Sequence, residues 1–271
     1  MCTSSFSKYN LETNILYVLY ILYYTQYTGF CQDSFLSVTI PQICAYFTKS
    51  PDDFIIDNVR RSVKMTVIEF FRIVCEDIHS AVVATTDKNN LPVTCVIDIM
   101  DYDSDGLYFL TARGKNFYDR LKEHGYLSLT GMKGDDTMHS VSASVFGYVR
   151  EIGTERLKTL LQKNSYMYEI YPTEESQKAL TVFQIYKGSG EIFDLSKKPI
   201  ERYRFTFGDA DEVKIGYYIT DKCTGCGECL PVCPQNCMAM AANKAEINQT
   251  NCLHCGNCFE VCRFGAVWKR D

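Results

Sequence analysis

"CTGCGECLPVCP", residues 223–234, places four cysteines at spacings of two, two and three intervening residues, with a proline after the last. "CLHCGNCFEVCR" (252–263) repeats the spacing, with Arg263 where a second proline would parallel Pro234. A thiolate is a soft ligand suited to iron and its sulfides. Four thiolates close a [4Fe–4S] cube. A C-x2-C-x2-C loop supplies three corners, and the cysteine three residues further on points away to serve the other cluster. Cys223, Cys226, Cys229 and Cys262 are thus expected to hold one [4Fe–4S] cluster, and Cys252, Cys255, Cys258 and Cys233 the second. Zinc sites usually use paired C-x2-C units separated by a spacer, which two sets of three plus one do not fit.

The two halves form an internal repeat. "CPQNCM" (233–238) aligns with "CRFGAV" (262–267), so Cys237 falls opposite Ala266 and is expected to be a small core residue, not a ninth ligand. Gly225, Gly227 and Gly256 leave room for backbone N–H groups to approach the sulfides. His254, on a ligand loop, reads as solvated, not coordinating. Residues 217–268 closely resemble the two-cluster bacterial-type ferredoxins, which implies a small α+β domain.

The rest of the composition is ordinary for a globular protein, with 46% hydrophobic and 23% charged residues. A net charge of −5 and the absence of a polybasic run argue against nucleic acid as a partner. The chain has 14 cysteines, and those outside the two motifs (Cys2, Cys31, Cys44, Cys75, Cys95 and Cys237) are dispersed. A secreted disulfide framework would be short and cysteine-dense throughout, so the pattern implies metal ligation in a reducing compartment.

"NILYVLYILYYTQYTGF" (14–30) is apolar and aromatic, but it is shorter than the roughly 20 residues that span a bilayer and is interrupted by Thr25, Gln26 and Thr28. It lacks the basic region and cleavage site of a signal peptide. It could be an interfacial anchor or a packed accessory helix. The favoured reading is that residues 1–64 are an extension outside the functional protein, which then starts at Met65, and a membrane partner is not expected.

Periodicity sharpens from Met65. "VIEFFRIVCEDI" has helical spacing, predicting a helix over 66–78. "SAVVATT" (80–86), the turn "DKNN" and "LPVTCVIDI" (91–99) predict a hairpin, and "LYFLTA" (107–112) a third strand. "GKNFYDRLKEHG" (114–125) reads as a helix with Gly125 as its C-cap. "YLSLTGM" and "HSVSASVFGYVREI" read as strands, "TERLKTLLQKN" (154–164) as a helix, and "TVFQIYKGSGEIFDLS" (181–196) as a hairpin through "KGSG". Short antiparallel strands with helices in the connections suggest a small β-barrel. The expected organisation is an extension (1–64), a barrel domain (65–207), a linker (208–216) and a cluster domain (217–271).

No Ser-His-Asp order, P-loop, G-x-G-x-x-G or H-E-x-x-H is present, and His79, His124 and His139 are isolated. In "LYFLTARGKNFYDRL" (107–121) a strand ends at Thr111, a turn carries Arg113 and Lys115, and a helix begins. A helix N-terminus with basic groups and a hydroxyl beside it suits a phosphate, although the two cations could equally solvate a loop.

In the order and motifs of these elements, residues 66–196 resemble the FMN-binding split β-barrel family related to pyridoxamine 5'-phosphate oxidase. The resemblance implies a homodimer with FMN at each end of its interface. It implies that Thr111, Arg113 and Lys115 hold the FMN phosphate, and that Thr94, Cys95 and Val96 line the isoalloxazine ring through the strand backbone. The substrate pocket of the true oxidases is not supported. Joined to two clusters, an FMN barrel converts one-electron into two-electron chemistry. The expected function is a cytoplasmic reductase that takes electrons from reduced ferredoxin or another low-potential donor and passes them through the clusters and FMN to a small-molecule acceptor. The alternative is a non-catalytic electron carrier or redox sensor.

Overall fold

Thr66 sets the start of the first helix. Its hydroxyl accepts from the Glu69 N–H at 3.2 Å, and the Glu69 carboxylate accepts from the Thr66 N–H at 2.7 Å, a reciprocal capping box. In this computed structural model, which describes residues 65–212 and 214–270, helix α1 covers Val67–Arg72 and a π-helical turn follows over Ile73–Ile78. The expectations for residues 1–64 lie outside the described residues. The single helix predicted over 66–78 is therefore two forms in series. Phe70, Phe71, Val74 and Cys75 are all buried, so the apolar pattern is the same in either form and does not distinguish them.

The hairpin follows as β1 (Ser80–Thr86) and β2 (Pro92–Asp98), in antiparallel register from Ser80↔Asp98 to Thr86↔Pro92. The Asp87 carboxylate closes the turn by accepting from the N–H groups of Asn89 and Leu91. Next come β3 (Asp101–Asp103), β4 (Gly106–Ala112) and α2 (Asn116–His124), which Gly125 ends at φ 60°. Strands β5 (Tyr126–Lys133) and β6 (Val141–Gly153) lead to three short helices, α3 (Leu157–Lys163), α4 (Met167–Ile170) and α5 (Glu174–Gln177). Strands β7 (Leu180–Asp194) and β8 (Glu201–Phe207) complete the sheet. Its order is β2-β1-β5-β6-β7-β4-β3, with β8 also on β7, and all its pairings are antiparallel. The fold is mainly β with short helices, as expected of a split barrel.

The main core fills the inner face of this sheet. Phe70 stacks on Phe205 at 4.5 Å, Phe71 meets Phe207 edge-on at 5.0 Å, and Phe109 stacks on Phe183 at 5.7 Å. Alternation along β4 sends Leu107 and Phe109 into this core and Tyr108 to a second one, where Leu157, Leu160 and Leu161 of α3 cover Leu180 and Val182.

The "KGSG" hairpin does not form. Residues 180–194 are one unbroken fifteen-residue strand. Its first half pairs with β4 (Leu107↔Ile185) and its second half with β8 (Gly190↔Phe205), while β6 runs along nearly all of it. The glycines serve close approach, not a turn. A Cβ on Gly188 would lie 2.1 Å from the Phe146 carbonyl oxygen, and one on Gly190 would lie 2.3 Å from the Phe70 ring.

The cluster lobe joins its first and last strands, β9 (Gly216–Ile219) with β12 (Val267–Arg270). Between them lie the hairpin β10 (Met238–Ala241) and β11 (Lys244–Ile247) and the one-turn helix α6 (Asn257–Glu260). Barrel and lobe belong to one compact unit. The Arg202 N–H donates to the Thr250 carbonyl at 2.6 Å, the Ile200 N–H to Gln235 Oε1 at 3.0 Å, and the Asn251 amide to the Ile200 carbonyl at 3.0 Å. Among the described residues no helix is long and apolar enough to cross a membrane.

Gly188→Ala should destabilise the barrel by about 1–3 kcal/mol, because its neighbour is backbone and cannot swing aside. A lowered denaturation midpoint with an unchanged m-value is the expected result.

Candidate functional site

Each ligand loop winds around its own cavity. Cys223, Cys226, Cys229 and Cys262 line one, beside Ala245 and Phe264. Cys233, Cys252, Cys255 and Cys258 line the other, together with Cys237. Cys262 thus lines the cavity of the first motif, and Cys233 that of the second. Among the described residues no three or more Cys, His, Asp or Glu side chains converge tightly enough to hold a single metal ion. The thiols instead surround a volume, which suits a polynuclear centre.

Backbone donors and left-handed turns shape the loops. The Cys237 N–H donates to Cys233 Sγ at 3.4 Å, and the Ala266 N–H donates to Cys262 Sγ at 3.2 Å, the same bond in each half of the repeat. The Ala245 N–H reaches Cys223 Sγ at 3.5 Å. Donors aimed at sulfur offset negative charge there. Gly227 and Gly256, at φ 77° and 86°, occupy equivalent turns that a side chain would strain. Cys237 is buried, as its alignment with Ala266 implies, but its sulfur lies 3.3 Å from Cys233 Sγ and on the cavity wall. It is a fifth thiol at that cavity, whereas Ala266 holds the equivalent position on the wall of the other.

His254 is not the solvated residue expected. It is half-buried at φ 56°, the position that Gly225 fills at φ 75° in the first loop. Its Nδ1 lies 3.4 Å from an Arg204 nitrogen on β8, and its Nε2 is buried without a hydrogen-bond partner among the described residues. Burial pushes its imidazole down to about 4, and the Arg202 and Arg204 cations push the same way.

On the barrel, the expected phosphate residues separate. Thr111 is buried beside the core at the end of β4. Arg113 turns away: its guanidinium donates to the Lys178 carbonyl at 2.9 Å and lies 3.8 Å from Glu151. The Lys115 ammonium is exposed and, among the described residues, has no hydrogen-bond or ion-pair partner. Lys115 is also the N-cap of α2, whose first turn has no side-chain cap; the Tyr118 N–H donates to the Lys115 carbonyl at 2.8 Å, which leaves the N–H groups of Asn116 and Phe117 for an acceptor. Sequence reading missed Arg120 and Thr85. Arg120 Nε donates to Thr85 Oγ1 at 2.8 Å. Burial pushes the Cys95 thiol up while Arg120 and Lys115 pull it down, so both cations act on β2. A charged residue between the buried Phe117 and Leu121, on the inward side of α2, was the available signal.

Thr94 and Val96 are exposed on β2, with Cys95 between them half-buried. Among the described residues β2 pairs only with β1, so its outer backbone edge has no strand partner among them. The unpartnered Lys115, the uncapped helix end and the Arg120–Thr85 pair fit an anionic group beside that edge, and the eight thiols fit two cubane clusters.

Comparison with known proteins agrees with this division. Residues 69–186 match the family profile described as pyridoxamine 5'-phosphate oxidase, and residues 210–266 match the 4Fe-4S dicluster domain, which indicates two [4Fe–4S] clusters. Among curated proteins none matches the chain. Similar solved structures include a NimC/NimA family protein of Clostridium acetobutylicum, with 16% identity and a TM-score of 0.41, covering 51% of this chain and 89% of that one. Another is a pyridoxamine 5'-phosphate oxidase-related, FMN-binding protein of Nostoc punctiforme, with 13% identity and a TM-score of 0.37, covering 61% and 95%. TM-scores of this size leave function to the chain's own residues. The chain thus joins a segment that matches the pyridoxamine 5'-phosphate oxidase profile to a C-terminal segment that matches the 4Fe-4S dicluster domain, a pairing with a redox role.

Proposed function

We propose that the chain is a cytoplasmic, homodimeric oxidoreductase that takes electrons from reduced ferredoxin or another low-potential donor and delivers them to a small-molecule acceptor. The observation that carries this reading is the seam between β8 and the second thiol cavity. Gln235, on that cavity's wall, accepts from the Ile200 N–H at 3.0 Å, so a redox lobe is fixed to the barrel, not tethered loosely. When bound, the clusters pass single electrons and FMN collects two.

In this reading Cys223, Cys226, Cys229 and Cys262 hold one cluster, and Cys233, Cys252, Cys255 and Cys258 the other. Lys115 and the first turn of α2 hold the FMN phosphate, with Arg120 held ready by Thr85. Thr111 keeps the strand end in place, and Arg113 braces the turn through Glu151 in place of a phosphate contact. The open edge at Thr94, Cys95 and Val96 faces the flavin ring. Register places Val96, Val82, Thr130 and Ser144 in one row, and Thr94, Ala84, Ser128 and Phe146 in the next. Val82, Val96, Met132 and Phe146 are exposed on this face. A second copy would cover it, exclude water from the ring and complete the site.

Three measurements test the reading. Anaerobically purified protein should carry about eight irons and eight sulfides per chain, and Cys237→Ala should keep them. Zinc, or about four irons, would overturn the ligand assignment. Lys115→Ala should weaken FMN binding by roughly 1.5–3 kcal/mol, about ten- to a hundredfold in Kd, and leave riboflavin binding nearly unchanged, whereas Arg113→Ala should weaken both equally or neither. In anaerobic stopped-flow with reduced ferredoxin, flavin absorbance should fall after cluster absorbance and recover in repeated turnovers with a quinone or nitro compound. Recovery only with a protein acceptor would make the chain an electron carrier.

A further inference from the structure

The two cavities sit in unlike electrostatic surroundings, although the repeat makes their ligands alike. At the loop of Cys252, Cys255 and Cys258, β8 presents two guanidinium groups. Arg202 and Arg204 share one carboxylate, Glu191, at 2.6 and 2.8 Å. Their side chains are 16% and 27% exposed and that of Glu191 is 25% exposed, so a net positive charge is held at the seam with little screening. At the Cys223 loop Glu228 pairs with Arg263 and Asp221 with Lys244, each at 2.7 Å, and Lys222 beside Cys223 is exposed to solvent. Arg263 and Asp221 there are 76% and 104% exposed, where water and salt reduce their effect.

His254 carries the seam charge to the ligand loop. An Arg guanidinium has donors only, so the Nδ1 facing Arg204 must be the accepting nitrogen and the ring neutral, with its proton on Nε2. The ring sits between the ligands Cys252 and Cys255, in a left-handed conformation where the other loop uses glycine. Strain of this kind persists where surrounding contacts over-determine it. Arg204 also donates to the Ile215 carbonyl at the entry to β9, so one guanidinium touches the ligand loop, the start of the lobe and the barrel.

We propose that Arg204, acting through His254, makes the cluster held by Cys233, Cys252, Cys255 and Cys258 the higher-potential of the two, and so the one that delivers electrons to the barrel. The cluster at Cys223, Cys226, Cys229 and Cys262 is then the entry point for the donor. Reduction adds negative charge to a cluster, and an unscreened cation beside its ligand loop stabilises the reduced form, one of the levers that set cluster potential. Deeper burial alone acts in the opposite direction, but the guanidinium pair is fixed at the buried loop itself. This inference rests on the reading that both clusters are bound.

The test is potentiometric titration of the intact, fully loaded protein, followed by electron paramagnetic resonance, with iron counted for every sample. Wild type should show two separate midpoint potentials. Arg204→Gln should lower the higher one and leave the lower in place, Arg204→Lys should largely restore it, and Glu228→Gln should raise only the lower one. His254→Gly restores the residue of the first loop and so guards against a folding defect, and it should lower the same potential as Arg204→Gln. The proposal is overturned if Arg204→Gln and His254→Gly move neither potential, both equally, or only the lower. Wild-type protein with about four irons or none would instead overturn the two-cluster reading itself.

Discussion

Everything in the described structure depends on β7 running straight through. A fifteen-residue strand is long for a small barrel, and this one changes partner on one edge, from β4 to β8, while β6 follows it on the other with register shifts at Tyr148/Val149 and Glu151/Gly153. The backbone of β6 at Phe146 and the ring of Phe70 must then approach it more closely than side chains there would allow, which is why glycine stands at 188 and 190. The change of partner splits the labour of the sheet. The β4 half leads to the turn at Lys115 and the basic helix end, and the β8 half leads to Arg202 and Arg204 and the cluster lobe. A turn at "KGSG" would have separated these ends into different hairpins. The continuous strand instead holds both in one rigid element.

The lobe shows how a duplication becomes directional. Its two loops share ligand spacing, glycine turns at 227 and 256, and the N–H to sulfur bonds at 237 and 266. They differ at two positions: His254, which meets Arg204 of the barrel, stands where the first loop has Gly225, and Cys237 stands where the second half has Ala266. One such barrel contact is sufficient to make two similar thiol sites inequivalent.

What was readable in the sequence follows from range. Cysteine spacing is a local rule, and the 4Fe-4S dicluster character of the C-terminal segment was legible from it. β1, β2, β4 and α2 were legible within a residue or two because alternation, an Asx turn and a C-cap glycine are also local. Reading "KGSG" as a turn failed because glycine there answers to Phe146 and Phe70, some forty and more than a hundred residues away in the chain. Arg113 and Lys115 looked interchangeable until Glu151 and the Lys178 carbonyl, both distant in sequence, claimed one of them. Arg120 and Thr85 were invisible as a pair for the same reason. Nothing local marked His254 as a junction residue, because its partner Arg204 lies on a different lobe.

The open edge of β2 has a consequence for the life of the chain before it is loaded. A seven-residue strand with one unpaired side is a template for another strand, and natural sheets usually blunt such an edge with lysine, a bulge or a cover. Here only Pro92 and Asp98 interrupt it, at its two ends, and the exposed Leu91 and Val96 lie along it. In the proposed dimer, cofactor and second subunit would cover this edge, and a barrel without them would present it as a template for aggregation. The supply of flavin in the cell would then act on the yield of soluble protein, as well as on its activity.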